Sequence, residues 1–451
     1  MTPARDRPAA PVRILHLGLG NFFRAHQAWY THHAPDAAEW GIAAFTGRSP
    51  GLARTLAAQD GLYTLVVRGA EGDRHEVIRS LNAAHPSADH AAWLDYWRLP
   101  GLAVVTLTIT EAGYARGRGT DGNGLDMGRA DVSADIAALK VSPVAPVSTA
   151  PAKVLAGLAA RREAGLPPVT IVPCDNLPGN AVVAQAVVRD LAEAVGDPAL
   201  TAAAQVPVFA TTMVDRITPA ATKEDLDRVR SATGFPDSAP VVTEPFSEWV
   251  LSGRFPAGRP RWEDAGARFV PDVLPFESRK LWLLNGAHSL FAYTAPLLGH
   301  ATVAEAAADP RCREWLGQWW QEASRHLSMP MAELTAYQDA LLERWANPRI
   351  RHTLAQIAAD GSQKLPVRIL PALRAERAAG RLPHGAAHVV SGWLLHLRGR
   401  GAPLQDAGAD PSLAEGPLPE AARRVLGFLD PPLADDAELV AAVTAHARAL
   451  S

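Results

Sequence analysis

The first 270 or so residues alternate short apolar runs with stretches of helical period. "VRILHLGLGNF" (12–22) is a buried-strand pattern running into a glycine turn, and "FFRAHQAWYTHHA" after it has helical spacing. "GIAAFTG" (41–47) predicts a second strand, and "SPGLARTLAAQD" a helix with Ser49 as N-cap and Pro50 in its first turn. "YTLVVRG" and "HEVIRSL" alternate as strands do, while "LAVVTLTIT" (102–110) is apolar and β-branched throughout. "PVTIVPCDN" (168–176) and "VPVFATTMVDRI" (206–217) predict two further strands. Strands alternating with helices predict an α/β fold with a Rossmann-like, doubly wound parallel sheet. From about residue 275 the period becomes mostly helical, through "PRCREWLGQWWQEASRHL", "RIRHTLAQIAAD" and "PEAARRVLGFL". The division predicted is an α/β domain over 1–274 and a mostly α-helical domain over 275–451. The proline- and glycine-rich stretch 398–419 is expected to be a surface loop.

Composition narrows the function without naming it. A chain of 451 residues is long for one core and suggests at least two domains. A formal charge of -3 gives no reason to expect nucleic acid or a membrane surface as partner. Two cysteines are too few for a disulfide framework or a cysteine metal site. The start "MTPARDRPAAPVR" lacks the apolar segment of a secretory leader, and no apolar run approaches the roughly 20 residues of a membrane span. The expectation is a soluble, cytoplasmic protein, a monomer or small homo-oligomer, acting on a small molecule.

"LGLGNFF" places Gly18 and Gly20 between a strand and a helix, as the opening of a G-x-G-x-x-G turn. Such a turn lets backbone N–H groups approach a pyrophosphate, which points to NAD or NADP. The third glycine is Phe23, and a glycine turn after a strand is also a common structural device. An NAD site usually has an acidic residue at the end of the second strand, whereas this chain has Arg48, which would suit the 2′-phosphate of NADP. A solvated loop arginine is the alternative. NAD is the cofactor expected, with NADP open because of Arg48.

Lys280, Asn285 and His288 form K-x4-N-x2-H on an otherwise apolar helix, "RKLWLLNGAHSLFAY". On a regular helix of about 100° per residue they fall near about 0°, 140° and 80°, one broad face. With the stretches "GLGNFFRAHQAWY", "QDGLYTLV", "TLTITEAGY", "PCDNLPGN", "MVDRITP", "EPFSEWV" and "ADGSQKLPVR", this pattern resembles the polyol-specific long-chain dehydrogenases, the mannitol dehydrogenase and fructuronate reductase family. These stretches occur in order over nearly the whole chain.

The resemblance implies a nucleotide-binding domain, a helical second domain, a site in the cleft between them and metal-independent hydride transfer. Lys280 matches the family's catalytic lysine, which must lower its pKa from about 10.4 towards 7–8 to serve as base. Asn285, with Asn176 of "CDN", matches the amides that stabilise an alkoxide, and His288 a contact to a substrate hydroxyl. Without the resemblance Lys280 reads as a snorkelling cation, Asn176 as a turn residue and Asp215 as a partner of Arg216. With it, Asp215 lies on the substrate side. Gly18, Gly20, Asn21, Phe22, Arg24, Arg48, Thr108 and Glu111 form the expected cofactor-binding set, with Tyr114 nearby. His26, His32 and His33 are expected to cap or solvate their helix. No HExxH or CxxC pattern offers a metal site.

Gln356 stands where mannitol-type members carry arginine, and "QIA-x-DGSQKLP-x-R" looks more like the fructuronate reductase branch. A sugar acid needs cations for its carboxylate, and Arg351, His352, Lys364 and Arg368 are the candidates. They read equally as solvated helix charges. The expected reaction is NAD-dependent interconversion of a keto sugar acid such as fructuronate with mannonate. The alternative is a mannitol, arabinitol or sorbitol dehydrogenase, and a non-catalytic nucleotide sensor is a third reading.

Overall fold

The computed structural model describes residues 5, 8–47, 49–117, 124–234 and 236–451, in two compact units, Met1–Leu274 and Pro275–Ser451. The strands of the first unit are β1 (Val12–Leu17), β2 (Gly41–Phe45), β3 (Tyr63–Arg68), β4 (Asp73–Ile78), β5 (Leu81–His85), β6 (Val104–Leu107), β7 (Thr170–Pro173), β8 (Val208–Phe209), β9 (Thr211–Asp215), β10 (Val241–Thr243), β11 (Glu248–Ser252) and β12 (Arg268–Phe269).

Six of them form a parallel sheet in the order β5-β2-β1-β6-β7-β8. Counted along the chain, this is the 3-2-1-4-5-6 order of the dinucleotide-binding fold, which reverses between its first and fourth strands. The strands read as unbroken apolar runs because both faces are covered. Period-2 alternation sends Leu15, Leu17, Ala43, Phe45 and Val105 to one core with Trp93 and Trp97. It sends Ile14, Ile42, Ala44 and Val104 to the other, with Phe23, Tyr63, Trp249 and Trp262. Two small sheets complete the unit: the hairpin β3–β4 extended by β10, and β9–β11–β12.

Several local expectations change. "VPVFATTMVDRI" is two strands: β8 ends the parallel sheet and β9 opens a different one, paired antiparallel to β11. The helix after the glycine turn breaks at His26 (φ -123°, ψ -88°) into Asn21–Ala25 and Gln27–His33. His26 occupies the cap position of both helices, but its side chain turns inward: it is fully buried, with Nε2 3.0 Å from the Glu248 carbonyl, so it makes no side-chain cap bond and is not solvated. His32 and His33 reach half-buried Glu76 at 3.7 and 2.7 Å, and of the two only His33 is exposed. Pro50 rather than Ser49 occupies the cap of Gly51–Ala58, and Ser49 Oγ accepts a 3.4 Å bond from the Gly51 N–H.

The second unit has no strand among its described residues. Its centre is the helix His384–Leu397, buried on all sides, as an element apolar all round should be. "RIRHTLAQIAAD" is helical only over Leu354–Ala358. Asp360, at φ 55°, then turns the chain into Gly361–Arg368. Gly361 is required there, because a Cβ would run into the Tyr293 hydroxyl and the Trp393 indole.

Candidate functional site

In the first unit a cleft of about 420 Å³ opens at the carboxyl ends of β1 and β6, on either side of the point where the strand order reverses. That is where ligands bind in open α/β sheets, and the volume lies within the roughly 300–1,000 Å³ of small-molecule sites. Of the expected cofactor set, Gly18 and Thr108 line it. Gly18 has φ 114°, and a Cβ there would collide with the Thr108 carbonyl, so only glycine lets the two strand ends approach.

Beneath the turn, His16 bridges two threonines. Its Nδ1 is 2.8 Å from Thr106 Oγ1 and its Nε2 3.1 Å from Thr108 Oγ1, which itself donates to the Gly18 carbonyl at 2.8 Å. Burial pushes His16 down to about 3, so it is a neutral strut.

The other expected residues are placed differently. Arg24, 3% exposed, donates to the Ala239 carbonyl, to the Gly20 carbonyl at 3.2 Å and to Asn21 Oδ1 at 2.8 Å. Its guanidinium therefore ties the interior together, and Asn21 is spent on it. Phe22 stacks on His26, and Gly20 caps the five-residue helix that follows. Glu111 is exposed at the start of a tight turn whose next residues, Ala112 and Gly113, do line the cleft. Arg48 lies outside the described residues, next to the lining residue Gly47.

Sequence reasoning missed the remaining wall: Arg129, Asp131, Ser148, Thr149 and Lys153. Asp135 anchors that loop by accepting 2.8 Å bonds from the Ser148 and Thr149 N–H groups. The "STAP" stretch carried a signal, since Thr149 caps the helix Ala150–Glu163 with proline in its first turn.

Asn176 is exposed in the turn after β7, where Asp175 accepts from the Leu177 N–H at 2.9 Å. Tyr114 donates to the other Asp175 oxygen, and burial raises that carboxyl to about 6. Asp215 is buried at the end of β9. Arg216 directs its guanidinium at the Ala25 and Glu244 carbonyls.

In the second unit the lysine element departs from the expected regular helix. Residues Lys280–Gly286 form a π-helix between the helical turns Leu274–Arg279 and Ala287–Thr294. Its i→i+5 pattern winds fewer degrees per residue, which swings Asn285 back towards the line of Lys280. An α-helical wheel would have left them at the two edges of a broad face.

Two adjacent indoles hold this turn open. Trp319 donates to the Trp282 carbonyl and Trp320 to the Leu283 carbonyl, both at 2.9 Å. Gly286 leaves the Trp319 indole the room it occupies, since a Cβ there would lie 2.7 Å from the ring. "GQWWQ" was visible in the sequence only as helix core.

His288 follows on the next turn, 7% exposed. Trp345 donates to its Nε2 at 3.2 Å, and His352 meets its ring edge-on at 4.9 Å. Burial holds His288 well below the usual imidazole range, and His352, Arg368, Arg344 and Lys280 all push it the same way. Arg368 also reaches the Asn285 carbonyl and Ser289 Oγ, each at 3.4 Å. Lys364 is instead committed to the Ile357 and Ala359 carbonyls at 3.2 and 2.5 Å, capping the helix end before it. Arg351 is exposed on the preceding turn. Thus His352 and Arg368 gather round His288, whereas Lys364 and Arg351 serve the backbone and the surface.

Among the described residues no cluster of histidine, cysteine or acidic side chains could hold a metal ion, and no helix is long and apolar enough to cross a membrane.

A reversed-order parallel sheet with a glycine turn at its switch point, in a chain that continues into a helical unit, defines a Rossmann-type dinucleotide-binding architecture. Residues 12–264 match the mannitol dehydrogenase Rossmann domain and 272–422 the mannitol dehydrogenase C-terminal domain. The chain belongs to the mannitol dehydrogenase family. It is 39% identical to the D-mannonate oxidoreductase of Escherichia coli K12, over 92% of this chain and 86% of that one. It resembles the crystal structure of a D-sorbitol dehydrogenase in substrate-free form (TM-score 0.88, 29% identity, 98% and 93% coverage). It also resembles the Pseudomonas fluorescens mannitol 2-dehydrogenase in ternary complex with NAD and D-mannitol (TM-score 0.79, 31% identity, 98% and 92% coverage).

Proposed function

We propose that the protein is an NAD-dependent oxidoreductase that interconverts a keto sugar acid with its secondary alcohol, fructuronate with mannonate being the pair favoured. The observation that carries the sugar acid is electrostatic. The four ionisable groups that act most strongly on buried His288, namely His352, Arg368, Arg344 and Lys280, are all cationic or neutral. A site so charged favours a substrate that brings its own negative charge. The similarity to a D-mannonate oxidoreductase supports the same choice.

The residues of the cleft suit NAD: Gly18 supplies the side-chain-free approach, and Ser148 and Thr149 form a polar stretch of the wall. When bound, NAD supplies the hydride acceptor or donor. Lys280 takes the hydroxyl proton in oxidation and returns it in reduction. Asn285, with Asn176 as the second amide donor of this scheme, stabilises the developing alkoxide, and His288 binds a substrate oxygen. Asp215, Arg368 and His352 complete the substrate side.

Steady-state reduction of fructuronate and fructose with NADH tests the choice. A carboxylate-to-arginine bond of about 1.5–3 kcal/mol predicts a kcat/KM for fructuronate larger by roughly ten- to a hundredfold. Equal or better turnover of fructose would favour the second reading, a polyol 2-dehydrogenase, which the likeness to the mannitol and sorbitol enzymes supports.

A further inference from the structure

We propose that Trp345 is a positioning residue for the reaction: its indole N–H fixes His288 as the neutral tautomer with the proton on Nδ1, leaving that nitrogen to donate to a substrate oxygen. The inference deepens the function proposed above and rests on its placing substrate at His288. An indole nitrogen donates and cannot accept, so the 3.2 Å bond from Trp345 requires a lone pair on His288 Nε2. A neutral imidazole with its lone pair on Nε2 carries its proton on Nδ1. Nδ1 has no hydrogen-bond partner among the described residues, while the side chain keeps a small opening to its surroundings. A donor is thus held ready and unspent.

The indole cannot turn away to release the ring. Trp345 is 4% exposed at the end of the helix Met331–Trp345, stacked on Trp320 at 5.8 Å and edge-on to Phe291 at 5.4 Å. Trp320 is itself anchored to the Leu283 carbonyl, so the ring that orients His288 leans on the ring that holds the π-helix.

The groups facing His288 come from four elements: Lys280 of the π-helix, Arg344 of Trp345's own helix, His352 of the turn before Leu354–Ala358, and Arg368 of Gly361–Arg368. All oppose a second proton. The tautomer also divides the labour: Nδ1–H can only donate, so His288 does not compete with Lys280 for the hydroxyl proton.

The test combines NMR of the full-length protein labelled with 13C,15N-histidine with steady-state kinetics. Trp345 is replaced by phenylalanine and, separately, by 3-benzothienylalanine, which keeps the bicyclic shape but has no N–H. His288→Gln assigns the signal. The wild-type ring is expected to show the Nδ1–H pattern, and both replacements to lose it. They should also lower kcat/KM by roughly ten- to a hundredfold, as loss of an orienting partner does elsewhere. Both should shift the acid limb of the pH profile upward. An Nε2–H pattern in the wild type, or full turnover with the benzothienyl side chain, overturns the proposal. The NMR arm needs no substrate. A protein that turned over neither sugar acids nor polyols would therefore count against the function, while the hydrogen bond would still be judged by itself.

Discussion

Each unit buries a neutral histidine next to the turn proposed to meet a ligand, His16 in the first and His288 in the second, and the two are wired differently. His16 has both ring nitrogens engaged by Thr106 and Thr108, so it holds the glycine turn and has nothing left for a ligand. His288 has one nitrogen engaged by Trp345 and the other without a hydrogen-bond partner among the described residues. Both are held far below the usual imidazole range by burial. Burial and a displaced pKa therefore do not separate the strut His16 from the proposed substrate contact His288; spare hydrogen-bonding capacity is what distinguishes them. The backbones differ in the same sense. The first unit offers the regular ends of parallel strands, which suit a cofactor shared by many reactions. The second distorts a helix to bring particular side chains to one line.

The sharpest way to break this comparison is Lys280→Ala. Loss of the proton-transfer group should lower kcat by about 10²–10⁴-fold, while NAD affinity, read by fluorescence titration, stays close to the parent's. Normal turnover with an unchanged pH profile would remove Lys280 from the chemistry.

Two glycine substitutions come next, one in each unit. Gly18→Ala must place a side chain at φ 114° against the Thr108 carbonyl, a strain of about 1–3 kcal/mol, and should weaken NAD binding. Gly286→Ala presses on the Trp319 indole, which an overpacked site resists by about 1–3 kcal/mol, and should lower kcat with NAD binding intact. If both variants lost cofactor affinity equally, the division of roles would fail.

The smallest effect concerns His388, which burial, with His446 and His384 beside it, holds at about 3. Below about pH 6.5 the unfolded chain takes up a proton that the folded chain refuses, so this site withdraws stability as pH falls from about 6.5 towards 3. His388→Leu should flatten the fall in unfolding free energy between pH 7 and 5.5, by about 1 kcal/mol or somewhat more. Parallel denaturation curves would show that the histidine is protonated in place.

The parallel strands were legible because a strand buried on both faces is an uninterrupted apolar run, as at Leu15, Val105 and Ile171. The proposed trio Lys280, Asn285 and His288 was legible as residue types. Its geometry was not, because a 3.6-residue wheel has no place for a turn with an extra residue, and the tryptophans that keep that turn lie some 35 positions away. Most of the cleft wall escaped for a related reason. Arg129, Ser148 and Lys153 come from loops and a helix start whose meeting depends on the folded chain. Arg24 illustrates the opposite error, since a cation near a glycine turn looks like a phosphate ligand until its guanidinium is seen bonded to buried carbonyls.

On the function proposed above, the π-helix also sets this protein's stability against its activity. Shortening Lys280–Gly286 by one residue would let an unbroken α-helix run on into Ala287–Thr294, with the usual i→i+4 ladder restored. That change rotates Lys280 away from Asn285 and leaves two indoles without their carbonyls. On that reading the sturdier helix and the working one are different molecules, and selection for thermal resistance alone would favour the regular helix.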